Sequence, residues 1–178
     1  EYILYVGSLT ERKNLLNVCK AYLQMQTEKR IPCVVIGNGG SYAAMLKKFV
    51  TDNKLEKSFI FLENISNLEL VAFYKKALVF IYPSVYEGFG IPLLEAMACG
   101  LPVITTVETG GPDVITDGVE GFIIPSRSVE AIEEKIAWCY QHINILKQMG
   151  RAARCKAEQL TWGNYSQQLV AKVCGLLE

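Results

Sequence analysis

Short continuous apolar runs recur along this 178-residue chain, at Ile3 to Val6, Cys33 to Ile36, Phe59 to Leu62, Leu78 to Tyr82, Val103 to Thr105 and Gly121 to Ile124. They do not alternate with polar residues, so they read as strands buried on both faces. The intervals between them carry helical spacing instead: Leu15, Val18, Cys19, Tyr22 and Leu23, then Tyr42, Met45, Leu46 and Phe49, then Leu68, Val71 and Tyr74. Strands that alternate with helices imply right-handed βαβ units, because parallel neighbours need a crossover connection that is usually helical. Glycine and proline punctuate the same places, in Gly37-Asn38-Gly39-Gly40, Gly100-Leu101-Pro102 and Gly110-Gly111-Pro112. After Ile124 the pattern becomes helical, with Val129, Ile132, Ile136 and Cys139 on one face, then segments over about 143–159 and about 163–177. The expected fold class is α/β, a Rossmann-like doubly wound parallel sheet of about six strands with helices on both faces.

Composition narrows the function. The chain is 51% hydrophobic, enough to build one core, and its 18 basic and 18 acidic residues cancel and are scattered. No basic stripe calls for nucleic acid and no polybasic cluster calls for anionic lipid. Six cysteines lie far apart, mostly within apolar segments, and His142 is the one imidazole. That usage suits buried thiols in a reducing, cytoplasmic compartment and gives neither a zinc site nor a disulfide framework. No run reaches the roughly 18 apolar residues needed to span a bilayer. The chain starts without Met, directly in a strand-like run, so a preceding part of a longer polypeptide is expected.

In a doubly wound sheet, ligands bind outside the carboxyl ends of the strands. The richest such loop follows the fourth run, where residues 83–102 read PSVYEGFGIPLLEAMACGLP. Gly88 and Gly90 allow a tight turn and close backbone approach, and Pro92 suits the start of a helix. The helix N-terminus would point free N–H groups and its positive dipole end at a diphosphate. Glu87 precedes the turn and Glu95 closes the first helical turn. Each carboxylate can accept from a pair of vicinal hydroxyls, so one on each side of a phosphate cradle fits a ligand with sugars at both ends. Taken alone, the residues equally allow Glu95 as a dipole-complementing glutamate and Glu87 as a solvated loop residue.

The run from Tyr86 to Ile104, with Glu87 and Glu95 at its centre, resembles the signature of the retaining, nucleotide-sugar-dependent glycosyltransferases of group 1, which have the GT-B fold. The likeness extends along the chain, through Tyr5 to Leu9, Arg12-Lys13-Asn14, Val35-Ile36-Gly37, Phe61 to Leu68, Pro83-Ser84, Gly110 to Asp113, Gly121-Phe122 and Trp162. It implies that the chain is one nucleotide-sugar-binding domain over residues 1–178, the second half of a two-domain enzyme whose acceptor-binding half comes first. Lys13 and Arg12 would contact the donor diphosphate near the Gly7 backbone; many members carry an arginine where this chain has Ser8, so one phosphate contact is either missing or supplied by Arg12. Glu87 would hold the transferred sugar and Glu95 the ribose. The backbone of Gly88, Phe89, Gly90, Ile91 and Leu94 would lie along the sugar and phosphates, and Ile65 would meet the nucleobase.

The implied activity is transfer of a hexose from a UDP-, GDP- or ADP-sugar to a hydroxyl acceptor with retention, in polysaccharide or glycoconjugate synthesis, without cofactor or metal. The isolated domain would bind donor and stay inactive. Attachment to the cytoplasmic face of a membrane, through the absent half, would be peripheral. Other readings stay open: a sugar-nucleotide-binding module without transfer, a sugar-nucleotide epimerase of the same fold, or a glycoside hydrolase using Glu87 and Glu95 as its carboxylate pair. The last helix, with Leu169, Val170, Val173 and Leu177, is expected to leave an apolar face uncovered.

Overall fold

Four-residue segments rich in β-branched and aromatic side chains form the sheet: β1 (Ile3–Val6), β2 (Cys33–Ile36), β3 (Phe59–Leu62), β4 (Val79–Tyr82), β5 (Val103–Thr106) and β6 (Gly121–Ile124). The computed structural model describes residues 1–26 and 30–174. All strands are parallel, in the order β3-β2-β1-β4-β5-β6. The chain therefore winds outward from β1 to one edge, returns to place β4 beside β1, and winds outward to the other edge. The winding reverses between β1 and β4, the switch point at which a doubly wound sheet forms its ligand crevice.

Helices α1 (Leu15–Gln24), α2 (Gly40–Asp52), α3 (Asn67–Lys76), α4 (Ile91–Ala98), α5 (Gly111–Val114), α6 (Val129–Gln141) and α7 (Ile143–Gln159) connect and cover the strands, and α8 (Trp162–Cys174) follows with its described side chains exposed. The period-two pleat sorts the strand residues onto two cores. Ile3, Tyr5, Cys33, Val35, Val79 and Ile81 meet α1, α2 and α6 on one face. Leu4, Val34, Ile36, Phe80, Tyr82 and Val103 meet α3, α4 and part of α7 on the other. Both faces are buried, which is why the strands read as unbroken apolar runs.

Helix existence follows the sequence pattern, but the buried stripe does not always do so. Leu23 and Met45 are exposed, and α3 turns Leu68 and Val71 to solvent while it packs Leu70, Phe73 and Tyr74 inward. The segment around α3 is apolar nearly all round, so its period could not say which stripe the sheet would take. Ser66 fixes its start by a capping box with Glu69. The 3-10 turn Glu11–Lys13 and the short α5 carry no periodic signal and are additions from the structure. Cys19, Cys33 and Cys139 are buried, and burial pushes the thiols of Cys19 and Cys139 up to about 12. Cys99 is half-buried, whereas Cys155 and Cys174 lie exposed on α7 and α8, so the expectation of buried thiols does not extend to these two.

Charges scattered in sequence are gathered in space. Lys75 and Lys76 from α3 and Lys147, Arg151 and Arg154 from α7 line a cavity of about 460 Å³ at the amino ends of the strands, beside Leu78, Leu101, Pro102 and Glu1. Each helix contributes only part of this group, so no sequence window shows it. Among the described residues, no helix is long and apolar enough to cross a membrane.

The carboxyl ends of β1 and β2 approach so closely that Gly37 admits no side chain, since a Cβ there would lie 1.9 Å from the Gly7 carbonyl oxygen, with φ at +152°. We predict that Gly37→Ala costs about 1–3 kcal/mol in denaturant unfolding, because backbone must move to accept one methyl group. Gly88→Ala, which meets no atom within 4 Å, should leave the midpoint nearly unchanged in the same measurement.

Candidate functional site

The crevice between the β1 and β4 loops is built by a turn that registers one loop on the other. After β1 the chain makes the 3-10 turn Glu11–Lys13 and ends it at Asn14, whose φ of 59° is left-handed. Asparagine tolerates that region better than other side chains with a Cβ. Its buried amide donates to the Pro83 carbonyl at 3.0 Å, and the Val85 amide donates to the Arg12 carbonyl at 2.8 Å. Arg12 and Lys13 are thereby held above the end of β4.

Lys13 is buried, with its side chain 9% exposed, whereas that of Arg12 is 48% exposed. The Lys13 ammonium donates to the Tyr82 hydroxyl at 2.7 Å and pairs with Glu87 Oε1 at 2.7 Å. Arg12 Nη1 donates to the same carboxylate oxygen and to the Tyr86 carbonyl at 2.6 Å. Two cations from the first loop thus close on one carboxylate from the fourth, in a place where solvent screens the lysine little. Gly7 lines the same spot: a Cβ on it would stand 3.9 Å from Lys13 Cε.

The turn from Glu87 to Gly90 is held by its own backbone. The Glu87 amide donates to the Glu108 carbonyl at 3.0 Å, and the Gly110 amide donates to the Phe89 carbonyl at 2.8 Å. A buried threonine set steadies the clasping loop: the Thr105 and Thr109 hydroxyls are 2.8 Å apart, and Thr106 donates to the Ser84 carbonyl at 2.5 Å. Gly90, at φ +97°, caps α4, and a Cβ on it would come within 2.9 Å of the Tyr82 ring. Ile91 and Pro92 then open α4, with Ile91 67% exposed and free to face a ligand. Among the described buried side-chain oxygens, Ser84 Oγ, on the floor of this loop, lacks a hydrogen-bond partner.

Glu95 stands one helical turn further and is exposed. The Tyr74 hydroxyl donates to its Oε2 at 3.0 Å. Burial and then the charge of Glu95 push the Tyr74 phenol well above its usual range, so it stays a neutral donor. One carboxylate oxygen of Glu95 is left for another partner. Leu94 and Ile65 are partly buried against the same face of the core.

The structure therefore brings Arg12, Lys13, Gly7 and Glu87 into one cluster and sets Gly88, Phe89, Gly90 and Ile91 on the adjoining turn. Glu95 and Glu87 have separate partners and share none. The contact of Glu87 with the buried Lys13 does not fit a solvated-loop role for Glu87. Sequence reading missed Tyr82, Tyr74 and Asn14, whose roles come from contacts across 21 or more positions. His142 is satisfied structurally, stacking on Trp138 at 4.3 Å with Nδ1 2.8 Å from the Trp138 carbonyl. Among the described residues, no group of three or more metal-ligating side chains converges.

A doubly wound sheet with cations and a carboxylate meeting over a glycine turn at its switch point belongs to the class of Rossmann-like ligand-binding domains. The chain belongs to the glycosyl transferases group 1 family, whose model matches residues 1–156. It is 33% identical over 171 residues to the O-antigen chain mannosyltransferase B of Escherichia coli, covering 95% of this chain and 44% of that protein. The chain thus spans less than half the length of that curated relative. Its fold matches the crystal structure of the C-terminal domain of a group 1 family glycosyl transferase, LpcC, from Francisella tularensis, with TM-score 0.80 and 22% identity over 89% of this chain and 85% of that one. It also matches Anabaena HepE, with TM-score 0.85 and 19% identity over 98% of this chain and 49% of that one. At these identities the structural likeness is one of fold, and it establishes the Rossmann-like half of the GT-B architecture.

Asn14 couples the cationic turn to β4 both by its left-handed conformation and by its amide. Asn14→Ala should lose both and cost about 1–3 kcal/mol in unfolding free energy, the range for an unpaired buried acceptor plus local strain. Asn14→Gly restores the backbone freedom and should recover part of that loss in the same thermal melt.

Proposed function

We propose that this chain is the donor-binding half of a hexosyltransferase and that the crevice between the β1 and β4 loops holds a nucleoside diphosphate sugar. The observation that carries the reading is the buried contact of Lys13 with Glu87 beside the Gly88–Gly90 turn, at the switch point of a group 1 family sheet. Lys13 and Arg12 would face the diphosphate together with the N-terminus of α4, and Glu87 the hydroxyls of the sugar. The free oxygen of Glu95 would accept from the ribose, leaving its other oxygen on Tyr74. Ile65 would border the base, and the amides around Gly7, Phe89, Ile91 and Leu94 would lie along the ligand. The HepE relative is described in complex with UDP and the E. coli relative as a mannosyltransferase, which supports a nucleotide donor and a hexose.

In the intact enzyme the bond between the sugar's anomeric carbon and the phosphate oxygen breaks as the acceptor hydroxyl attacks from the same face, with retention. The departing phosphate oxygen takes the acceptor proton. Negative charge grows on the diphosphate as it leaves, so cations and helix N–H groups fixed in advance lower the barrier without reorganising. Positioning supplies the remainder. The cluster gives Glu87 two cationic partners and Glu95 a phenol, an arrangement suited to holding a ligand at both ends and not to a paired acid and nucleophile acting on one bond.

The acceptor would come from the absent half, which would also cover α8. Trp162, Tyr165, Leu169, Val170 and Val173 are exposed on this helix, while Leu177 lies outside the described residues. Peripheral association with a membrane at its cytoplasmic face belongs to the same proposal, and the cations of α3 and α7 offer an attractive surface for anionic headgroups.

Calorimetric titration with UDP, GDP, ADP and their sugar conjugates tests the donor site without an acceptor. One nucleotide class should bind saturably, and Lys13→Ala and Glu95→Ala should each weaken it by roughly tenfold or more, the value of a charge-assisted hydrogen bond. Equal affinity in all three proteins would sink the assignment. Product analysis of the full-length protein then separates transfer to a hydroxyl acceptor from epimerisation of the donor.

A further inference from the structure

The Lys13 ammonium has two partners of different kinds. Tyr82 is buried, 1% exposed, with its ring packed under Gly90 where no Cβ could fit, so its hydroxyl cannot leave. Glu87 sits on a loop, is held to the fold at its amide, and reaches the ammonium only with its side chain. This carboxylate occupies both cations that would meet a diphosphate. An anion that enters must take Lys13 and Arg12 away from Glu87, while Tyr82 keeps the ammonium in place.

We infer that Glu87 is an exchangeable counterion of the phosphate site and Tyr82 its fixed anchor. This deepens the donor-site reading and rests on it. With a donor bound, sugar hydroxyls would draw the Glu87 carboxylate off the cations, so binding the sugar and freeing the cations become one event. Once the sugar has been transferred, nothing holds Glu87 away, and it returns to compete with the nucleoside diphosphate for Lys13 and Arg12. The carboxylate thereby hastens release of the product. No covalent bond changes in this exchange; the ammonium and guanidinium trade one anionic oxygen for another. Tyr82 is a positioning residue in this account, since it acts on the ligand only through Lys13.

Two residues that touch the same ammonium should then move anion affinity in opposite directions, which a shared structural role would not do. The chain is titrated by calorimetry with UDP, GDP and ADP, and with inorganic pyrophosphate, which has the charge without the nucleoside. Glu87→Gln should tighten both kinds of probe by about tenfold, the loss of one competing charge-assisted contact. Tyr82→Phe should weaken both by roughly threefold or more in protein that remains folded by circular dichroism. Glu95→Gln, which removes a carboxylate from the following helix α4 without touching the cations, should leave pyrophosphate affinity unchanged. Glu87→Ser makes the same change of charge and carries the test if the glutamine variant does not fold. A shift of Glu87→Gln and Tyr82→Phe in the same direction overturns the exchange, as does equal tightening of pyrophosphate by Glu95→Gln, which would reduce the effect to charge acting at a distance. If pyrophosphate responds as described but no nucleoside diphosphate binds better than pyrophosphate, the exchange stands and the donor reading falls.

Discussion

Every feature of the crevice depends on the parallel pairing of β1 with β4. That pairing sets two strands from distant parts of the chain side by side, with Ile3 opposite Val79 and Leu4 opposite Phe80, so that their loops leave the sheet together and meet above it. Residues 12–14 and 82–90 are thereby neighbours in space although some seventy positions separate them. A single helix or hairpin could not place a lysine, a glutamate and a glycine turn on three sides of one small volume. The sheet does so with main-chain hydrogen bonds, and side chains then refine the position: Asn14 ties one loop to β4, and Thr105, Thr106 and Thr109 tie the β5 loop to the other side.

Burial makes this arrangement chemically useful. A lysine taken out of water costs free energy unless its hydrogens are satisfied, and here two of them are, by a phenol and a carboxylate. The same low exposure that makes the pair costly also strengthens its interaction with any other anion. Arg12, half in solvent, is the more weakly committed of the two cations and the one able to follow a ligand. Glu95 shows the opposite design. Its anchor is a neutral donor kept neutral by burial, so one oxygen is fixed and the other remains available.

The fold was legible in the sequence because a parallel sheet covered on both faces demands continuous apolar strands, and turns demand glycine and proline at their ends. All six strands lie where the runs predicted them. The cationic turn before Asn14, the inward stripe of α3 and the basic rim around Leu78 and Pro102 were not legible, because each depends on which distant surface the segment meets. The candidate site divides along the same line. Glu87, Glu95 and the glycines between them sit in one window and announce themselves by spacing. Tyr82 looks like any other strand residue, and Tyr74 like any other apolar helix position; only the fold shows that their hydroxyls end on a lysine and a glutamate of the crevice.

In the proposed donor site, a carboxylate that pairs with the cations works against binding a bare anion. The pairing is useful if the ligand brings hydroxyls as well as phosphates. With Glu87 on the cations the site is electrically closed, and two buried or half-buried cations avoid repelling each other across a small gap. A phosphate without a sugar must compete with Glu87 for every contact, and it gains less than the bare cations would give. A sugar diphosphate offers the carboxylate new donors at the same moment that it claims the cations, so only the complete ligand satisfies all the groups. Discrimination between donor and spent nucleotide then follows from one side chain having two alternative sets of partners, on a backbone that does not need to move.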